Sequence, residues 1–288
     1  MAYRLPHWFT LLKYTVYGLL MINVFLFLQE ELLALEHTFA DGFAASDLIQ
    51  AFSATIDTAA WVVLLLLFEL ETSVLPDEKI RGGVKLSLHG IRAFCYLFIV
   101  YAFYGYLVEL RMLYNVEQLA AVDACSLLGG DWSRLLTIDE YAALAADNCA
   151  SLGAELWQVG GFNILADSET LRSVQLLGWT DVINAGDWIL VVLVLEIDVR
   201  LQLAGKYSDH LLAINKVVKA VLYTVLFGAA IYWWFEGDFL DFWDAFLWLF
   251  AFIFIEMNIF DWQAETQAEQ AKAGGAAMLD QSLESSSN

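Results

Sequence analysis

Residues 13–30 read KYTVYGLLMINVFLFLQE, and the fold turns on how this stretch is read. The same frame returns at 92–109, RAFCYLFIVYAFYGYLVE, and at 219–236, KAVLYTVLFGAAIYWWFE. Each begins with a cation: Lys13, Arg92 or Lys219. A Tyr follows four residues on (Tyr17, Tyr96, Tyr223) and a Glu seventeen on (Glu30, Glu109, Glu236). An aromatic stands three before that Glu: Phe27, Tyr106 or Trp233. A second frame follows each first one, at 57–71, 184–198 and 244–258. It is built on Trp61, Trp188 and Trp248, with Asp57, Asn184 or Asp244 four residues earlier. Eight residues after the Trp stands Glu69, Glu196 or Glu256, and two beyond that Glu71, Asp198 or Asn258. The chain therefore reads as three copies of one two-helix unit, each holding charge at the edge of an apolar layer.

Working outward, 60% of the residues are hydrophobic and the mean hydropathy is +0.59, which points to a membrane protein rather than a soluble domain. Apolar blocks near 11–30, 55–71, 92–109, 184–200, 217–235 and 241–260 approach the roughly 20 residues a spanning helix needs. The first block is no cleaved leader in this reading. Gln29, Glu30 and Glu31 follow it in place of small residues, and it shares its frame with two later blocks. The expected fold class is all-α: a polytopic membrane protein with six transmembrane helices, arranged as three hairpin repeats about a pseudo-threefold axis, plus a small α-helical extracytoplasmic insert. Repeat 1 takes residues 1–72. Repeat 2 takes 73–111 and 182–200, interrupted by the insert at 112–181. Repeat 3 takes 201–262, and 263–288 is a polar cytoplasmic tail, partly disordered by its Glu, Gln and Ser content. Three hairpin repeats also occur in mitochondrial carriers. Their proline-containing signature is missing, since Pro6 and Pro76 both lie outside the blocks, and the chain is assigned to no family.

Lys79, Arg81, Lys85 and Arg92 cluster between blocks two and three, and Arg200, Lys206, Lys216 and Lys219 between blocks four and five. The positive-inside rule then places both termini in the cytoplasm of a bacterial-type inner membrane and the insert outside. Cys125 and Cys149 both fall in that insert, where an oxidising compartment favours a disulfide. Cys95, inside a block, reads as a packed thiol. Two helix starts are expected in the insert, at Asp139-Glu140 running into Tyr141–Ala146, and after Asp167-Ser168-Glu169, where Leu171, Val174 and Leu177 recur at helical spacing.

The net charge of −21 excludes nucleic acid as a partner. The four histidines (His7, His37, His89 and His210) are scattered, no cysteine cluster accompanies them, and no nucleophile stands with a base. No metal site, cofactor or catalysis is expected. The partners expected are the lipid bilayer and a protein docked on the insert.

The chemistry lies in the repeated charges. At about 1.5 Å per residue, Lys13 and Glu30 are roughly 25 Å apart along a helix, so the cation sits near one membrane edge and the acid near the other. Helices running back bring Glu69 to the depth of Lys13, Glu196 to that of Arg92 and Glu256 to that of Lys219. These three are expected as intra-repeat ion pairs. Glu71, Asp198 and Asn258 form a second ring on a different helix face, and Asp57, Asn184 and Asp244 an outer ring. Intramembrane ionisable residues mark ion or proton routes, or else latch helices together. Conduction or transport of an ion or small solute is the first functional expectation. A non-catalytic scaffold or anchor subunit, with the charges as interhelix latches, is the second.

Overall fold

Apolar runs bounded by charge fold as helices that overshoot the run at both ends. In a computed structural model, α1 (His7–Thr38) is followed by the short α2 (Leu48–Ala51), α3 (Ser53–Glu69) and α4 (Gly83–Tyr114). A sheet region comes next, then α5 (Ser168–Leu203), α6 (Asp209–Glu236) and α7, residues 239–255. The structure describes residues 7–38, 48–75, 79, 81–120, 122–153, 155–203, 209–255 and 257, with side chains at all of these but 50, 72, 73, 198–200, 202, 203, 209 and 212.

The six-span expectation is corrected. Among the described residues three helices are long and apolar enough to cross a membrane: His7–Thr38, Gly83–Tyr114 and Ala213–Glu236. These are the helices of the first frame, and three of them mark a multi-pass membrane protein. Of the second-frame helices, α3 and α5 fall short of such a span for a physical reason, while α7 is described over residues 239–255 alone. α3 is 17 residues long and carries Asp57 and Glu69. The apolar run of α5 is interrupted by Asp181, Asn184 and Asp187, and α7 carries Asp241 and Asp244. Two of their acids face protein: Glu69 is 4% and Asp187 7% exposed. The long helices instead present Leu11, Phe25, Leu86, Leu97, Val217 and Phe227 outward.

The insert corrects the all-α expectation as well. It holds a five-stranded mixed sheet of order β1-β4-β5-β2-β3, from β1 (Val116–Leu119), β2 (Ser133–Leu135), β3 (Tyr141–Ala143), β4 (Leu156–Val159) and β5 (Ile164–Asp167). All neighbours pair antiparallel except β2 with β5, where Ser133 lies opposite Ile164 and Arg134 opposite Leu165. The helix expected over Tyr141–Ala146 is thus β3 and the turn after it. Strands of three or four residues are too short for an alternating pattern to show in sequence. The helix expected after Asp167 is present, but it does not stop at the insert's edge. It is α5, which follows β5 with no intervening residue and continues to Leu203.

Cys125 and Cys149 are disulfide-bonded, with their Cα atoms 5.0 Å apart. They join two 3-10 turns beneath the sheet, where Ala124, Leu152, Leu156 and Leu165 form a small core. Cys95 is a buried free thiol. A second apolar cluster fixes the sheet to the bundle, with Leu135, Val159 and Ile164 against Leu113, Val174, Leu177, Ala230 and Trp233. His37 at the end of α1 adds a polar tie, since its Nδ1 lies 2.8 Å from Ser133 Oγ and its ring stacks on Tyr141.

Two joints set the bundle. α3 has no capping side chain of its own. Glu31 of α1 supplies the cap, accepting from the Ala54 amide at 2.8 Å and the Thr55 amide at 3.2 Å, which places a carboxylate at a helix N-terminus. Gly105 lets α2 lie against α4: a Cβ there would stand 2.7 Å from the Ile49 carbonyl oxygen. The start of α1 and the end of α7 lie on one side, where the rings of Phe9 and Phe254 meet at 5.1 Å.

Candidate functional site

Trp61 on α3, Trp188 on α5 and Trp248 on α7 form a triangle, with ring centroids 6.4, 6.4 and 6.2 Å apart. All three are at most 8% exposed and stand at the centre of the bundle core with Leu20, Ile99 and Leu226. One turn toward the sheet, the residues four before each Trp, Asp57, Asn184 and Asp244, line a cavity of about 40 Å³ above the triangle. Phe27, Tyr106 and Trp233, the aromatics of the first frame, complete its wall. Asn23, 1% exposed in α1, donates from Nδ2 to Asp244 Oδ1 at 2.7 Å.

Phe27, Tyr106 and Asp241 also face a second cavity, of about 50 Å³, on the sheet side. Six carboxylates line it: Glu30 and Glu31 of α1, Glu109 of α4, Asp139 of the β2–β3 connection, Asp181 of α5 and Asp241 of α7. Among the described residues, no Lys, Arg or His lines it. Carboxylate oxygens of Asp139, Asp238 and Asp241 lie within 4.8 Å of one another, a grouping able to hold a metal ion. Glu30, Asp139 and Tyr141 in turn line a vestibule of about 610 Å³ together with Glu36, His37 and Glu140.

Crowding of like charge in a poorly solvated place favours the protonated acid. Burial, and then the charges of Glu109, Glu30, Asp238 and Asp181, hold the Asp139 carboxyl well above the usual range. Burial, then Glu109 and Asp238, does the same to Asp181 against the opposing hydrogen bond from Trp233. Asp238 is raised by burial and by Glu140, although its contacts with Asp241 work the other way. Asp238 also shapes the α6–α7 turn: Gly237, at φ 89°, and Asp238 both donate backbone N–H to Trp233 O at 3.0 Å.

The charge at the other end is arranged differently. Lys13 Nζ is 2.6 Å from Glu69 Oε1, with both residues buried. Tyr14 donates to the same oxygen at 3.0 Å, and Tyr17 to Oε2 at 3.5 Å. Arg92 was expected to meet Glu196. Its Nη2 is instead 2.6 Å from Oε2 of Glu71, so this ion pair joins α4 to the turn that follows α3. The α register ends at Glu69 and a π turn spans Leu70–Val74, so the helix face assigned to Glu71 from α periodicity does not carry over. Glu196 is exposed on α5, and Lys219 is half-buried on α6. Glu256, Asn258 and the side chain of Asp198 lie outside the described residues, and with them the expected Lys219–Glu256 pair.

Glu30, Glu31, Glu109, Asp139, Asp181, Asp238 and Asp241 are not among the site residues expected from sequence. Glu30 and Glu109 carry a signal there, as the acids that close the first frame. Asp139 carries only a local one, as an expected helix start. No family model matches the chain, and the searches of curated proteins and of solved structures give no match.

Proposed function

We propose that this membrane protein moves a cation, admitting it from the sheet side through the vestibule and the acid-lined cavity to the space above the Trp triangle. The observation that carries the reading is the cavity bounded by six carboxylates with no basic side chain among the described residues of its wall. Six such groups cannot all hold charge in a poorly solvated space, so protons or a cation must offset them. An intramembrane acid facing a cavity is in addition the usual mark of an ion pathway. The route is shut at the Trp triangle in this conformation, so transport requires the indoles to move apart.

The three-copy relation between the sequence frames belongs to the same reading, since it sets equivalent positions around one axis. So does the orientation: a bacterial-type inner membrane, the Lys13 end and both termini cytoplasmic, the sheet outside, by the positive-inside rule. The role proposed is non-catalytic. A second reading is favoured by one observation, the closed centre. With Glu69 fully engaged by Lys13 and Tyr14, the Lys13 end is a latch, and a scaffold or anchor subunit would need nothing more of it.

Reconstitution into liposomes loaded with cation- and pH-sensitive dyes separates the two. The transport reading expects cation-dependent flux that Glu109→Gln with Asp181→Asn lowers at least tenfold. Flux equal to that of empty liposomes across all common cations and both pH gradients supports the scaffold instead.

A further inference from the structure

We propose that the cavity above the Trp triangle holds one hard metal cation, ligated by Asp57, Asp244 and Asn184. This rests on the cation-moving reading and names where the ion pauses. The cavity, about 40 Å³, has room for a small metal ion. The donors select its chemistry. Two carboxylates and an amide carbonyl are oxygen ligands only, the set that suits Na⁺, Ca²⁺ or Mg²⁺ and not softer metals.

One polar atom there lacks a partner. Asn184 lines the cavity, and its Oδ1 is shut off from solvent with no hydrogen-bond partner. A buried acceptor left so is costly unless something fills it. Asn23, almost fully buried, holds Asp244 by one carboxylate oxygen. A carboxylate braced on one side keeps its other lone pairs in position. The three ligands come from α3, α5 and α7, so one ion ties together the three helices that carry the Trp triangle.

Trp-sensitised Tb³⁺ luminescence tests this on the intact chain in detergent, because four indoles line the cavity and Tb³⁺ seeks hard oxygen donors. Ca²⁺, Mg²⁺ and Na⁺ are then titrated as competitors, with choline as the large-cation control. We expect saturable emission that a small metal ion displaces and choline does not. Asp57→Asn, Asp244→Asn and Asn184→Leu should each weaken Tb³⁺ at least tenfold, whereas Glu109→Gln changes it less than threefold. Three variants guard against one that fails to fold, as judged by its elution profile. If Asp57→Asn and Asp244→Asn leave affinity unchanged while Glu109→Gln lowers it, the ion sits in the upper cavity. The inference then falls and the cation-moving reading stands. If no metal ion gives saturable binding to the wild-type protein, the inference falls. If the liposome flux is also absent, both fall.

Discussion

Glu69 and Glu109 are carboxylates on helices of the same bundle, and the molecule treats them in opposite ways. Glu69 is 4% exposed and held by an ammonium and a tyrosine hydroxyl within 3.0 Å. Glu109 faces a cavity with five other acids and, among the described residues, no basic side chain. Both arrangements answer one rule, that a buried charge without a counter-charge is the expensive state. At the Lys13 end the chain carries the counter-charge itself. At the sheet end it must come from solution, so the first end is a fixed joint and the second is responsive.

Removing the internal counter-charge should have the largest effect. Lys13→Met leaves Glu69 buried and uncompensated, and should cost about 3–5 kcal/mol of unfolding free energy in mixed micelles. Adding Glu69→Gln should restore most of that. A single change costing under about 1 kcal/mol would remove the distinction between the two ends.

The acids at the sheet end should respond to protons, and the sign follows from linkage. Asp139, Asp181 and Asp238 have carboxyls raised in the folded state. Below the ordinary Asp value of about 3.9 they are protonated folded or unfolded, and their stabilising contribution is complete. As pH rises past that value the unfolded chain releases its protons first, and stability is lost progressively up to the raised folded values. In chelator-containing buffer the melting temperature should therefore fall as pH rises above about 4. Asp139→Asn with Asp181→Asn should flatten the decline. A melting temperature that climbs over this range would contradict the assignment.

The disulfide should act locally and rank next. Closing a loop with a sequence separation of 24 is worth roughly 3 kcal/mol in the chain-entropy model. Cys125→Ala with Cys149→Ala should speed amide exchange across β1–β5 and leave α1, α4 and α6 protected. Exchange rising equally in the long helices would show that the sheet and bundle unfold as one.

The smallest effect is expected at Arg92. Its ion pair with Glu71 has side chains 32% and 21% exposed, so solvent screens it. Arg92→Gln should cost no more than about 1 kcal/mol in the same assay. A loss as large as that from Lys13→Met would mean that both pairs are latches of equal standing.

How much of this could be read from sequence depended on the range of the interaction. The three long helices were legible, because a cation and a Glu bounding an apolar run mark a helix and its depth at once. So was the Lys13–Glu69 approach, from shared depth alone. The partner of Arg92 was not, since a π turn at Leu70–Val74 leaves no trace in residue spacing. The sheet was hidden by strands of three and four residues whose pairing brings Leu135 and Ile164 into a core that neither segment announces. The acid cavity was the hardest. Its residues come from α1, α4, α5, α7 and a β connection, and only the tertiary fold makes neighbours of Glu30, Asp139 and Asp241.

The seamless junction of β5 with α5 has a mechanical consequence. Asp167 ends the strand and Ser168 opens a helix of 36 residues, a rod of about 54 Å. With no loop between them, nothing absorbs a twist applied at the sheet. α5 then works as a crankshaft: a rotation imposed at its sheet end turns Trp188, twenty residues further along, by the same angle.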